Sequence, residues 1–309
     1  MKAGQAFEIF VKHILLQVGF VEVKSDGLYV FDGTSGQMIQ GLGEAHNSDV
    51  LLEPPVQIPL FTQTRVLIEC KDYEQKVGLN IIRSALGLRE DINHFELVDK
   101  NELLSRKSQR RKGIIKTFER FSYQVAVAST SGFTVPAQKF AATHRIPLIE
   151  FDKMPFWRQY TDMMEQLEEE YDDEVIIGRI VALARDIGRR MAVAITSSGQ
   201  MLFLFQESGI SHEFSNNYSL HWVSPTLPWK MLTGNQTYLF QLPENIMKQW
   251  LENVENSFDI RREALRCKEG ILSNMVVYYM ENERRCIKMI SIDKERLEEA
   301  KTRLENRNE

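Results

Sequence analysis

Cysteine is scarce: Cys70, Cys267 and Cys286 are the only three in 309 residues, they form no CxxC pair, and they do not cluster with the six histidines. That excludes a zinc knuckle and a disulfide framework and fits a reducing compartment. Long apolar runs are missing too, since nothing approaches the roughly 20 residues needed to span a bilayer. The N-terminus has no basic stretch followed by an apolar run and a cleavage site. The expectation is a soluble, cytoplasmic protein. Net positive charge is also absent, the balance being -5, which excludes coating of nucleic acid by whole-molecule attraction. The chain has no Walker motif and therefore no P-loop motor of its own. There is no internal repeat.

What charge there is, is local. Lys100 to Arg120 holds eight basic residues against Glu102 and Glu119, whereas Thr161 to Glu174 holds eight acidic residues and no basic one. Within the basic stretch, Arg106, Lys107, Arg110, Arg111 and Lys112 read either as a solubilising loop or as an arm contacting phosphates, which confers affinity with little sequence information.

Apolar spacing through Ala6, Phe7, Phe10, Val11, Ile14, Leu15 and Val18 predicts a first helix that stops at Gly19. Short strands follow at Phe20–Val23, Leu28–Phe31 and Asp49–Leu52. A longer strand is expected at Arg65–Asp72 and a helix at Val77–Phe95. Tyr123–Ala128 reads as a strand, Pro136–His144 as a helix capped by Thr134, and Pro147–Phe151 as a further strand. This order implies an α/β layer with some parallel pairing. We expect a first domain over 1–153, an acidic linker or helix over 154–174, and an α+β domain of unknown role over 175–309. In that last part a helix is expected at Val175–Ile187, hairpins around Ser197–Gln200 and Thr233–Asn235, and helices at Glu244–Val254 and from Asp293.

The chemistry concentrates in Ile68-Glu69-Cys70-Lys71. Strand alternation sends Glu69 and Lys71 to one face and Ile68 and Cys70 to the other. Asp49 leads the preceding strand, and an antiparallel return would set its carboxylate near Glu69. Two carboxylates and a backbone carbonyl, such as that of Cys70, make a hard oxygen site suited to Mg²⁺. Lys71 would either handle the attacking water or stabilise developing charge. Glu8, at the edge of the first helix's apolar face beside Val11 and Leu15, is placed to reach the metal's water shell.

On these residues the chain resembles the PD-(D/E)xK nuclease superfamily, and Mrr-like restriction endonucleases in particular. The resemblance runs from about Gly4 to Asp152. It includes the Gly4-Gln5-Ala6-Phe7-Glu8 opening, the Asp49 strand, Glu69-Cys70-Lys71, and Val125–Thr134 followed by the strand at Ile146–Phe151. It implies a restriction-endonuclease-like core, with Glu8 as the acid of the first helix, Asp49 and Glu69 as metal ligands, and Lys71 as the catalytic lysine. It further implies Mg²⁺-dependent cleavage of DNA, with Mn²⁺ substituting, that leaves a 5′-phosphate and a 3′-hydroxyl in defence against foreign DNA. Asp49 departs from the pattern by following Asn47-Ser48, where many members have Pro or Gly. Cutting a duplex needs two such sites, so a homodimer or a partner subunit is expected.

Two other classes are compatible with the sequence: a nucleic-acid-binding module that has lost activity, and an interaction subunit whose C-terminal part recruits another enzyme. Ser129–Thr134 reads as a capping turn or a phosphate site. Phe214, Tyr218, Trp222 and Trp229 read as core residues or as base-stacking groups.

Overall fold

The structure is a computed structural model that describes residues 4–34, 36–57, 62–95, 104–105, 108, 121–221, 229–244, 246–247, 254 and 256–306. Helix α1 (Gln5–Gln17) buries Ala6, Phe7, Phe10, Val11, Ile14 and Leu15, the stripe that its 3.6-residue spacing predicts. Strand β1 (Val21–Glu22) follows. Then come three short strands that pair as a small antiparallel sheet of their own: β2 (Val30–Gly33), β3 (Gly36–Gln40) and β4 (Ala45–Asn47).

The main sheet consists of β1, β5 (Val50–Glu53), β6 (Gln63–Lys71), β7 (Phe121–Ser129) and β8 (Leu148–Glu150), in the order β1-β5-β6-β7-β8. β1–β5 and β5–β6 are antiparallel, while β6–β7 and β7–β8 are parallel. Parallel neighbours need crossovers. Helix α2 (Leu79–His94) follows β6, and α3 (Val135–His144) lies between β7 and β8. Thr134 stands at the α3 N-cap, but its side chain makes no capping bond.

The two faces of this sheet enter different cores. Leu67, Val125, Val127 and Leu148 pack with Ile82, Ala85, Ala137 and Ala141 of α2 and α3. Val66, Ile68, Cys70, Ala126, Ala128 and Ile149 pack with α1. Glu69 and Lys71 continue the alternation of Leu67 and so belong to the α2/α3 face.

The second part begins with α4 (Trp157–Gln166) and α5 (Asp173–Gly188). Its seven-stranded antiparallel sheet comprises β9 (Met191–Thr196), β10 (Met201–Gln206), β11 (Tyr218–His221), β12 (Trp229–Thr233), β13 (Gln236–Phe240), β14 (Asn274–Glu281) and β15 (Arg284–Ser291). Helices α6 (Ser257–Gly270) and α7 (Lys294–Glu305) also belong to it, and Asp293 caps α7 by accepting from the Glu295 and Arg296 amides. The architecture is thus α/β: a mixed sheet flanked by helices, with a second α+β part. The helix expected at Glu244–Val254 lies mostly outside the described residues.

Each part has an apolar cluster of its own, within 23–148 in the first and 192–290 in the second, and a further cluster crosses the boundaries at 153 and 175. One apolar cluster joins Phe7, Phe10 and Ile68 to Phe156 and Tyr160, to Ile180 and Ile187 of α5, and to Val193, Phe203 and Phe205 of the seven-stranded sheet. The Phe151 ring meets Phe203 at 5.6 Å, and Phe10 meets Tyr160 at 4.4 Å. The acidic stretch therefore has an apolar side: Tyr160 of α4 and Leu167 just after it are buried, while its carboxylates face water.

α1 and α5 approach so closely that a Cβ on Gly188 would collide with the Gln17 side chain and stand 3.2 Å from the Ile14 carbonyl. Gly188→Ala is expected to destabilise the protein by about 1–3 kcal/mol through overpacking. Denaturant unfolding checks this, and an unchanged midpoint would show that the helices part without strain.

Candidate active site

Asp49 immediately precedes β5, whose antiparallel register pairs Val50 with Ile68. Continued by one residue, that register sets Asp49 opposite Glu69, as the sequence reading requires. The Cys70 amide donates to Asp49 Oδ2 at 2.8 Å, fixing the carboxylate against the strand. Lys71 Nζ donates to Glu69 Oε2 at 2.8 Å and lies 3.5 Å from Asp49 Oδ2. The three side chains are 15–19 % exposed, which leaves them reachable from solvent at the carboxyl end of the parallel strands.

Ser48 explains the departure just before Asp49. Its amide and its hydroxyl both donate to the Gln37 carbonyl of β3, at 2.9 and 3.2 Å. A proline could make neither bond and a glycine only the first.

Burial raises the Glu69 pKa and the Asp49 charge adds to it, against the lowering pull of Lys71. For Lys71, burial acts downward, but the charge and hydrogen bond of Glu69, with Asp49 behind them, prevail and raise its pKa. Lys71 is therefore an ammonium at neutral pH in this arrangement, which favours charge stabilisation over proton abstraction.

The two carboxylates already converge on one positive charge, the Lys71 ammonium, so their geometry admits a cation. Among the described residues no group of three or more His, Cys, Asp or Glu could hold a metal. The remaining donors would be a backbone carbonyl, water and substrate oxygen, which suits Mg²⁺ rather than a metal needing an all-protein cage. The Cys70 carbonyl is a candidate, because the Lys71 carbonyl accepts from Thr130 on the β7 side and alternation turns that of Cys70 to the Asp49 side. The Cys70 thiol plays no part: it sits in the core, and burial pushes its pKa well up.

Glu8 lies in the first turn of α1, half-buried, and its charge acts on the Cys70 thiol. Gly4, at the start of that helix, stands with its Cβ direction 4.0 Å from Asp72 Cβ, just past the end of β6. Glu8 thus approaches the strand from the Cys70 face, opposite to Glu69 and Lys71.

Arg106, Lys107, Arg110, Arg111 and Lys112 lie outside the described residues, as does Trp222. The Ser129–Thr134 turn is committed to holding the loop after β6. Ser131 Oγ donates to the Gln75 carbonyl at 2.7 Å, Thr130 Oγ1 to Asp72 Oδ1 at 3.0 Å, and Ser129 Oγ to the Gly132 carbonyl at 3.2 Å. Phe214, Tyr218 and Trp229 are core residues of the second part.

One neighbour of the site, His46, reads in the sequence as a lone histidine in a polar turn with no ligand role. His46 Nε2 lies 2.6 Å from Asp91 Oδ2, and the His46 charge favours ionised Glu69. Its proximity to Asp49 in sequence is visible, but its partner on α2 is 45 residues away.

A cavity of about 320 Å³, lined by Val66, Val125, Arg145, Met201 and Tyr278 among others, opens toward the amino ends of β6 and β7 and contains no carboxylate. It is remote from the Asp49–Glu69–Lys71 chemistry.

A metal bound at Glu69 would have to displace its proton, so the Mn²⁺ concentration for half-saturation there is expected to rise on acidification from a pH above the ordinary glutamate range. A rise confined to the ordinary range or below would contradict the raised Glu69 value. The same shift bears on folding: the contribution of Glu69 is present below its unfolded value and lost as pH rises through the folded one.

The fold and site define an α/β protein that carries an acid, acid and lysine constellation on a mixed sheet. No family model and no curated protein matches the chain. Among solved structures it is similar to "Crystal Structure of Protein of Unknown Function AF1548", at 15% identity and a TM-score of 0.34, over 59% of this chain and 78% of that one.

Proposed function

We propose that the chain is a Mg²⁺-dependent endonuclease that hydrolyses DNA phosphodiester bonds in the restriction of foreign DNA. The observation that carries this reading is the meeting of Asp49, Glu69 and Lys71, with the ammonium 2.8 Å from one carboxylate and 3.5 Å from the other. Asp49, Glu69 and the Cys70 carbonyl would hold the metal, which when bound would polarise the scissile phosphate and lower the pKa of water.

The protein's own groups do the rest. The Cys70 amide keeps Asp49 oriented. Lys71, held protonated by its neighbours, offsets negative charge that grows on the phosphate oxygens in the transition state. Glu69, with its raised pKa, exchanges a proton in the range where metal competes for it. The DNA substrate, the 5′-phosphate product, the defence role and a two-site assembly come from the family resemblance.

Asp49→Ala and Glu69→Ala tests the ligand roles. Each is expected to remove one bound Mn²⁺ from the folded protein and to abolish plasmid nicking. Undiminished metal binding by both variants would remove the carboxylates from the site.

A further inference from the structure

Two carboxylate oxygens outside the candidate active site are shielded from solvent yet have no hydrogen-bond partner: Oε1 of Glu150 and Oδ1 of Asp152. Glu150 is only 4 % exposed. Its other oxygen takes the Lys153 ammonium at 2.5 Å. Lys153 also reaches Glu244 Oε2 at 3.6 Å, and Lys76 holds that same oxygen at 3.0 Å. Among the described residues, the carboxylates of Glu150, Asp152 and Glu244 gather around the ammonium groups of Lys153 and Lys76.

Both free oxygens border the space beside Gly132. Gly132, with φ +75°, leaves space where a Cβ would stand 3.9 Å from Glu150 Oε1 and 4.0 Å from Asp152 Oδ1. Buried acceptors without a donor are rare in folded proteins and commonly mark an ion or ordered water. Two carboxylate oxygens repel an anion. Burial raises the pKa of both acids against the lowering pull of Lys153.

The space beside Gly132 lies on the same face and edge of the sheet as the catalytic constellation, because the register runs Lys71 to Ser129 to Glu150 across three parallel strands. Two strand spacings of about 4.8 Å put it roughly 10 Å from Lys71, too far for one ion to serve both places.

We propose that Glu150 and Asp152 form a second divalent-cation site, distinct from Asp49 and Glu69. Their hard oxygens select Mg²⁺, Mn²⁺ or Ca²⁺, with water completing the shell. An ion there ties the end of β8 to the Lys153–Glu244–Lys76 chain and so to the second part of the molecule. The inference does not rest on the nuclease reading.

The test uses the full chain with Asp49→Asn and Glu69→Gln in place, so that both catalytic carboxylates are absent. Mn²⁺ binding is counted by electron paramagnetic resonance, and melting is followed in parallel. That background should bind one Mn²⁺ and melt at a higher temperature with it. Adding Glu150→Gln and Asp152→Asn should abolish both effects. No Mn²⁺ binding in the background, or undiminished binding after the added changes, overturns the site. A pH-dependent melting temperature without Mn²⁺ binding would assign the free oxygens to a shared proton and overturn it equally. Should the fourfold variant fail to fold, Asp152→Asn alone in the same background, at a half-buried side chain, is expected to weaken Mn²⁺ at least tenfold. Unchanged affinity there contradicts the proposal.

Discussion

Lys71→Ala is expected to lower DNA cleavage by about 10² to 10³-fold, the loss typical of removing one preorganised charge-stabilising donor, while the protein stays folded and still binds Mn²⁺. The expectation follows from the position of the ammonium. It is not a packing element, since it lies at the open end of β6 and its contacts are the carboxylates of Glu69 and Asp49. Its removal leaves those two carboxylates facing each other without a counter-charge, so their mutual repulsion grows and their demand for a metal cation rises. Metal binding should therefore hold or strengthen as cleavage falls. That combination separates a catalytic lysine from a merely structural one, whose loss would depress melting and metal binding together. Folded Lys71→Ala protein that cuts at the wild-type rate would remove this strand from the chemistry.

The second large effect concerns truncation. A fragment ending at Asp152 is expected not to fold alone, although the order of helices and strands over 1–153 is that of a closed α/β layer. Phe156 and Tyr160 pack on Phe10, and Phe203 packs on Phe151, all from beyond that point. Ile180, Ala184 and Ile187 of α5 belong to the same core as α1. Losing one buried aromatic side chain costs about 3–5 kcal/mol, and a domain's whole stability is about 5–15 kcal/mol. Stripping several partners from α1 at once exceeds it. Circular dichroism and gel filtration of the fragment check this, and a monomer with a cooperative melt would show that the first core closes by itself.

The part of the site carried by local periodicity was legible in the sequence. Glu69 and Lys71 share a face because a strand alternates, and Ile68 and Cys70 enter the α1 core for the same reason. The placement of Asp49 needed only one further assumption, an antiparallel return between β5 and β6. The helices α1, α2 and α5 announced themselves by apolar spacing, and the β9–β10 and β12–β13 hairpins by their turn residues.

Other elements leave too little local pattern to be legible. β3 and β4 are short and polar, Gly-Gln-Met-Ile-Gln and Ala-His-Asn, so no alternation rises above composition. α6 fully buries only Glu263 and Cys267, too few to set a period. β14 is different: Val276, Val277, Tyr278 and Tyr279 are strong strand formers, and propensity alone would have placed it. The shared core could not be read at all. An acidic run looks like a solvated connection because charge dominates its composition, whereas the few residues that dock it, Phe156, Tyr160 and Leu167, are spaced too widely to stand out. Pairings distant in the chain, such as His46 with Asp91 or Glu244 with Lys76, depend on tertiary structure and leave no local trace.

Incubation of the purified full chain with supercoiled plasmid and Mg²⁺, with and without chelator, tests the central claim most directly. Conversion to nicked or linear DNA that stops with chelator and is restored by added Mn²⁺ is the expected result. Intact plasmid in the presence of folded protein that binds Mn²⁺ at Asp49 and Glu69 would contradict it.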